Sequence, residues 1–186
     1  MKKIVLFLMV VIILFVFTAC NNTNASSDIG YSKNNLEEKY MEFLEQYDEV
    51  YYTFKDIDGD SRKELIIMEN TLITIYISDE KNIKKIGSYD FVTGTVRLLY
   101  SDDAASYPGI FYYTVGGGID HYGYLTIRDN KLVLENLWEE NYAAESIDSQ
   151  NRIKEISSDK ELINASKESF KNDNDIDFIT FKNNER

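Results

Sequence analysis

Apolar and polar residues alternate in short runs over most of this chain, a pattern typical of β-strands with one buried face. Gly, Asn, Asp and Ser separate the runs, as they do in turns between antiparallel strands. The expected strands cover residues 50–55, 64–68, 72–78, 83–88, 95–100, 110–115, 122–128, 131–137 and 175–181. Asp129 and Asn130 follow the strand over 122–128 and tolerate the positive φ angles of a two-residue hairpin turn.

Two segments have the period of an amphipathic helix instead. The apolar face of the first is formed by Leu36, Tyr40, Phe43, Leu44 and Tyr47. Asn35 and Glu38 have the spacing of a capping box at its start. A weaker helix is expected from Ser158 to about Phe170. Together these elements predict an α+β domain over residues 33–186, a twisted antiparallel β-meander backed by the N-terminal helix.

The first twenty residues have the order of a secretory signal peptide. Lys2 and Lys3 precede an unbroken apolar run over residues 4–17, which is short for a membrane span. The segment Phe17-Thr-Ala-Cys20 follows and resembles the lipobox of bacterial lipoproteins. This resemblance implies cleavage after residue 19 and acylation of Cys20. The alternative is a retained membrane anchor with an incidental cysteine.

A lipobox implies a protein anchored outside the cytoplasm, whose first partner is membrane lipid bound through acylated Cys20. Residues 1–19 would be the signal peptide, and residues 20–32 would be the lipidated cysteine and a flexible polar tether. Because Cys20 is the only cysteine of the chain, the domain that follows can form no disulfide, thiolate metal site or cysteine nucleophile.

The chain is acidic, with a formal net charge of -12. Nucleic acid is not an expected partner, because binding it requires positive charge to neutralise phosphates. Calcium ions and cationic proteins are attracted to such a surface. Simple solubility explains the charge equally well.

The densest group of carboxylates lies in a short loop between two expected strands. The candidate metal ligands of this loop are Asp56, Asp58, Asp60 and Glu64 at its first, third, fifth and ninth positions, with the backbone carbonyl of Arg62. Carboxylate and carbonyl oxygens are the ligands that calcium prefers. The alternative is an Asp-rich hairpin turn stabilised by side-chain-to-backbone hydrogen bonds without an ion.

The same spacing resembles the calcium loops of FG-GAP and VCBS-type repeats, such as those of integrin α-chain propellers. The resemblance implies a structural calcium ion held between two strands, with Gly59 at the turn and Leu65 entering the second strand. Ser61 stands where those loops usually have Gly. An EF-hand is not expected, because its twelfth position would be Ile67 rather than Glu. The loop occurs once, so a repeat-built propeller is not expected either.

A second candidate site combines tyrosines with three consecutive glycines. Its residues are Tyr112, Tyr113, Gly116, Gly117, Gly118, Tyr122 and Tyr124. Glycine allows close backbone approach to a ligand, and tyrosine rings suit a sugar of the cell wall. The alternative is a hairpin that needs glycine in its turn and carries tyrosines because aromatic residues favour strands.

Catalytic signals are weak. His121 is the sole histidine, which is too few for a zinc site built on nitrogen ligands. A serine-hydrolase Gly-x-Ser-x-Gly elbow is absent from the sequence. Glu139 and Glu140 are the carboxylates to inspect for a glycosidase pair.

The leading functional expectation is a non-enzymatic binding module of a surface lipoprotein. One alternative is an inhibitor or immunity lipoprotein whose acidic face blocks a cationic protein, and a third is a cell-wall glycoside hydrolase. The order of signal peptide, cysteine, helix, acidic loop and aromatic strands resembles small lipoproteins of Gram-positive bacteria. This resemblance implies a location and a shape but no activity.

Overall fold

The computed structural model describes residues 33–79, 81–91, 96–101, 106–142 and 152–183. The expected signal peptide over 1–19, and Cys20 with its tether over 20–32, lie outside the described residues and stay predictions. Two compact units are distinguished, residues 1–37 and 38–186. Among the described residues, no helix combines the length and the apolar character needed to span a bilayer.

The first of two antiparallel sheets, sheet A, combines strands from both ends of the chain. Its strands are β1 (Glu49–Lys55), β2 (Glu64–Glu69), β3 (Leu72–Ser78), β4 (Ile83–Asp90) and β10 (Ile179–Lys182). Their order in the sheet is β10-β1-β2-β3-β4. The final strand therefore pairs with the first, with Glu49 opposite Lys182 and Tyr52 opposite Ile179.

The second sheet, sheet B, is a meander in which each strand pairs with the next one along the chain. Its strands are β5 (Val96–Tyr100), β6 (Ile110–Gly116), β7 (Ile119–Arg128), β8 (Lys131–Asn141) and β9 (Ile153–Glu155). The β7–β8 turn has φ angles of 52° at Asp129 and 56° at Asn130. The expected two-residue hairpin is thus confirmed.

The sheets pack face to face, and each carries a helix on its outer face. The core between them includes Ile57, Ile66, Ile73, Ile75, Leu98, Ile110, Tyr112, Leu125 and Ile127. The helices are α1 (Lys33–Leu44) and α2 (Lys160–Lys171). In α1, Leu44 is buried and the Tyr40 ring stacks on Phe54 of β1 at a centroid distance of 5.6 Å. Leu162 and Ile163 of α2 pack on the outer face of sheet B.

The expected α+β class is confirmed, as are the N-terminal and C-terminal helices. The strands nevertheless divide between two sheets, and β9 was not expected. The proposed Asn35 cap is wrong because α1 begins at Lys33, which places Asn35 inside the helix. The N-cap of α2 is Asp159, one residue after the expected Ser158, because its carboxylate accepts a hydrogen bond from the Leu162 N–H at 2.9 Å.

Candidate functional site

The acidic loop folds around its own aspartate side chains. The Asp56 carboxylate accepts hydrogen bonds from the N–H groups of Gly59 at 2.7 Å and Ser61 at 2.9 Å. Asp58 accepts one from the Asp60 N–H at 3.0 Å. Gly59 and Ser61 both have positive φ, 82° and 69°, and these two left-handed residues reverse the chain between β1 and β2. Ser61 therefore adopts a left-handed conformation that favours glycine.

Three of the expected ligands converge. Carboxylate oxygens of Asp56, Asp58 and Glu64 all lie within 4.8 Å of one another, so these side chains could hold a metal ion. A set made only of carboxylate oxygens fits a hard cation.

Asp60, a further expected ligand, is not a member of this cluster. The Asp60 carboxylate accepts hydrogen bonds from the backbone N–H and the Nε of Arg62, both at 2.7 Å. Its second oxygen also forms an ion pair with Arg62 Nη2 at 2.5 Å. The side chain of Asp60 is thus engaged by Arg62, two residues along the chain, instead of joining the acidic cluster.

Glu64 is the buried member of the cluster, with a relative exposure of 3%. Its Oε2 accepts a hydrogen bond from the Ile57 N–H at 2.7 Å. Burial raises the pKa of Glu64 from 4.5 to about 8, and the neighbouring aspartates act in the same direction. Burial also raises the pKa of Asp58. These shifts oppose ionisation of the cluster, and a bound cation would favour the ionised carboxylates.

The loop also connects the two sheets, because Ile57 is completely buried in the core between them. The Ile57 carbonyl accepts hydrogen bonds from the Thr126 hydroxyl at 2.7 Å and from the Ile127 N–H at 3.5 Å, both in β7. The Asp56 carbonyl accepts one from the Tyr100 hydroxyl at 2.6 Å. Two of the three candidate ligands therefore contact the connection between the sheets. Asp56 accepts a hydrogen bond from Tyr100 of sheet B, and Glu64 accepts one from Ile57, which is buried between the sheets.

The tyrosine and glycine site expected in β6 and β7 requires correction. Tyr112 and Tyr124 are each only 3% exposed, so neither belongs to a ligand surface. The Tyr112 hydroxyl donates to Asn136 Oδ1 at 3.0 Å, and the Tyr124 hydroxyl donates to the Pro108 carbonyl at 2.6 Å. Of the expected tyrosines, Tyr113 and Tyr122 are only partly buried.

The three glycines form the β6–β7 turn. Gly116 ends β6, while Gly117 and Gly118 have φ angles of 62° and 80°. A side chain at Gly117 would have nothing within 4 Å. These glycines are accounted for by hairpin geometry, the alternative reading of that stretch.

A cleft between sheet B and α2, here called the aromatic cleft, has a volume of about 380 Å³. Its rings belong to Tyr113, Tyr122, Trp138, Tyr142 and Phe170. Tyr113, Tyr122 and Trp138 lie directly opposite one another on three adjacent strands. The rings of Tyr122 and Trp138 stack at a centroid distance of 3.5 Å and an interplanar angle of 6°. Phe170 of α2 meets the Tyr122 ring edge to face at 5.0 Å.

Three charged side chains line the same cleft, Arg97, Asp120 and Lys167. The Asp120 carboxylate is 8% exposed and accepts a hydrogen bond from the Tyr113 hydroxyl at 3.0 Å. Of the residues that line the cleft, the sequence predicted Tyr113 and Tyr122 as ligand contacts and missed the others, because strand register and the position of α2 bring them together. The one local signal was the alternation that separates Tyr113 from its buried neighbour.

Comparisons with known protein families, curated protein sequences and solved structures find no match. Functional inference for this chain therefore rests on its own residues.

The sole histidine of the chain lies within hydrogen-bonding distance of a glutamate on sheet B. His121 Nδ1 lies 3.1 Å from Glu139 Oε1, and Lys154 Nζ lies 3.8 Å from the other oxygen of Glu139. Glu140 is on the opposite face of β8 and lies across from Asp120 of β7. Glu139 and Glu140 thus point to opposite sides of the sheet and do not converge on one substrate.

Proposed function

We propose that this protein is a membrane-anchored surface lipoprotein whose β-domain is a non-enzymatic binding module stabilised by one calcium ion. The observation that carries the calcium proposal is the buried Glu64 carboxylate facing Asp56 and Asp58. A carboxylate removed from water is costly unless positive charge or hydrogen bonds compensate it. Ile57 N–H supplies one hydrogen bond, and a bound cation would supply the charge.

The donor set favours calcium over other common metals. Zinc sites in proteins use mainly nitrogen and thiolate ligands, whereas this cluster offers carboxylate oxygens. Magnesium demands near-ideal octahedral geometry and keeps several waters, while calcium accepts irregular oxygen cages. Asp56, Asp58 and Glu64 would hold the ion, and carbonyl groups of the loop or water would complete its shell.

The role proposed for calcium is structural. Glu64 and the backbone of Asp56 flank Ile57, which joins the two sheets. Fixing these ligands would fix the loop conformation that inserts Ile57 into the core. Ion binding to the folded state alone raises stability by mass action.

The anchor is proposed from the lipobox resemblance at Cys20. Expression in a Gram-positive host should place the parent chain in the membrane fraction with the mass of a diacylated protein. Cys20→Ser should keep residues 1–19 uncleaved and carry no acyl mass. Equal processing of both chains would contradict the lipoprotein assignment.

Calorimetry and thermal unfolding test the calcium site. We expect heat of calcium binding and a higher melting temperature in calcium than in chelator for the parent, and loss of both in Asp58→Asn. Asp177→Asn is the matched control, because Asp177 is exposed and lies outside the cluster. A parent that does not respond, or an Asp58→Asn variant that responds like the control, would exclude the proposed site.

A further inference from the structure

The aromatic cleft offers apolar rings, hydrogen-bond donors and hydrogen-bond acceptors in one cavity. Its volume of about 380 Å³ lies at the small end of the range of roughly 300–1,000 Å³ for ligand sites. Arg97 and Lys167 donate hydrogen bonds, Asp120 accepts them, and tyrosine hydroxyls do both. The charges of these groups and the orientation of the rings decide which class of ligand fits.

The polar side chains are held in place before any ligand arrives. The Arg97 guanidinium donates to Asp175 through Nε and Nη2, both at 3.0 Å, and to Asp173 at 2.8 Å. Lys167 Nζ lies 3.1 Å from Glu155 Oε1, and the Asp120 carboxylate is held by Tyr113. Side chains already fixed in this way lose little conformational entropy on binding.

An organic cation fits the cleft poorly, because it would meet the like charge of lysine and arginine side chains that lie beside the rings. Lys167 Nζ lies over the Trp138 ring at 5.6 Å from the centroid. The Arg152 guanidinium lies over the Tyr142 ring at 5.7 Å. A second cation near these rings would be repelled by this like charge.

An anion fits poorly as well. Asp120 lines the cleft and is almost completely buried. Glu140 lies directly opposite it on the adjacent strand, which places two carboxylates at the same end of the site. The cations that an anion would need, Arg97 and Lys167, are each paired with carboxylates already.

We propose that the aromatic cleft binds a neutral carbohydrate, an inference that deepens the proposed binding function by naming its site and ligand class. A sugar ring has apolar C–H faces that pack against aromatic side chains and hydroxyl groups that pair with mixed donors and acceptors. The apolar surface of the cleft comes from Tyr142, which is 49% exposed, and from the partly buried rings of Tyr113, Tyr122 and Phe170. Trp138 is only 6% exposed and stacks on Tyr122, so it supports that ring. Arg97, Lys167 and Asp120 supply the donors and the acceptor of the cleft.

Intrinsic fluorescence provides a direct readout, because Trp138 is the only tryptophan of the chain. The full-length protein, in a detergent without sugar head groups, is titrated separately with chitotriose, cellotriose and maltotriose, and with spermine and citrate as charged probes. We expect at least one trisaccharide to change Trp138 emission saturably. Its affinity should change less than about twofold between low and high salt, since no net charge is neutralised.

Substitutions at the rim test whether binding occurs in the cleft. Arg97→Gln and Lys167→Met each remove a hydrogen-bond donor from the cleft. Each should weaken the affinity for the trisaccharide by about fivefold or more, as expected for hydrogen bonds from charged groups. Lys154→Met is the matched control, since Lys154 is an exposed lysine of sheet B that pairs with Glu139 and does not line the cleft. Circular dichroism confirms that each variant is folded.

The carbohydrate proposal is overturned if no trisaccharide changes the Trp138 emission at concentrations up to about 10 mM. Any dissociation constant would then be too high for a specific binding site. The proposal is equally overturned if only spermine or citrate binds saturably, or if Lys154→Met weakens binding as much as the cleft variants. Repeating the titration with Asp58→Asn separates the two proposals, because that position lies outside the cleft. Asp58→Asn should lose calcium-dependent melting and keep sugar binding. A parent protein that binds the sugar but does not melt at a higher temperature in calcium would contradict the calcium site alone, and a parent with the opposite behaviour would contradict the carbohydrate site alone.

Discussion

Glu64 and Ile57 are joined by a hydrogen bond of 2.7 Å from the Ile57 N–H to the Glu64 carboxylate. The Ile57 side chain is completely buried between the two sheets, and its carbonyl accepts from Thr126 on the opposite sheet. One residue thus connects a candidate metal ligand with the interface between sheets. Cation binding and sheet packing are therefore expected to stabilise each other.

Asp60→Asn should leave calcium affinity unchanged within about twofold, whereas Asp58→Asn should weaken it by about tenfold or more, as expected when a charged ligand is lost. The reason is geometric, since Asp60 is paired with Arg62 and Asp58 belongs to the cluster. Calorimetric titration of both variants measures the difference. Equal losses would show that Asp60 turns toward the ion when calcium binds.

Without calcium, stability should fall as pH rises from about 4.5 toward 8 because of Glu64. The pKa of Glu64 is about 8 in the folded protein and 4.5 ordinarily, so in this window the folded state retains a proton that the unfolded state releases. The free energy of unfolding then decreases by at most about 1.4 kcal/mol per pH unit. Urea unfolding of the parent and Glu64→Gln in chelator measures this slope.

Glu64→Gln should lack this component of the slope, because the amide does not titrate. Saturating calcium should also suppress the slope in the parent, since the ion favours the ionised carboxylate. Parallel pH profiles for the parent and the variant in chelator would contradict the raised pKa.

Ile57→Ala should lower the free energy of unfolding by about 2–5 kcal/mol, the usual cost of a large-to-small change in a core. Ile179→Ala is the control, because Ile179 is 55% exposed and should change stability by less than about 1 kcal/mol. Chemical denaturation measures both. A loss at Ile57 no larger than that at Ile179 would mean that the loop does not hold the sheets together.

Ser61→Gly should stabilise the protein by up to about 1 kcal/mol. A left-handed conformation costs a non-glycine residue about 1–2 kcal/mol, and the greater entropy of glycine in the unfolded chain offsets part of the gain from removing this strain. The Ser61 φ of 69° carries this expectation. Ser88→Gly in β4 should instead destabilise by about 0.5–1 kcal/mol. Thermal melts measure the melting temperatures of the two variants. A lower melting temperature for both Ser61→Gly and Ser88→Gly would contradict the strain assigned to Ser61.

Features set by local sequence were predicted well. The 72–78 strand has the expected bounds, and the turn at Asp129 and Asn130 has the expected positive φ angles. Both depend on residues adjacent in the chain, where alternation and turn chemistry act directly. The convergence of Asp56, Asp58 and Glu64 also followed from spacing within one loop.

Features set by distant contacts were not predicted. Tyr112 packs in the core between the sheets, where its ring has room because Gly123 lies opposite it; a Cβ at Gly123 would be 2.1 Å from the Tyr112 ring. This pairing can be known only once the register of β6 and β7 is known. The division into two sheets and the assembly of the aromatic cleft likewise depend on which strands meet. Strand β9 has three exposed residues and thus no buried alternation to indicate it.

The pairing of β10 with β1 brings the end of the described chain back to its beginning. Sheet A cannot acquire its fifth strand until nearly all of the polypeptide has been synthesised. On the way, the segment before β10 pairs with β5 at the edge of sheet B, where the Ile176 N–H donates to the Leu98 carbonyl at 2.8 Å. Such long-range closure slows folding relative to folds built from neighbouring segments. A chain cut short before residue 176 would leave one edge of each sheet without its neighbour, in a form prone to pair with other chains.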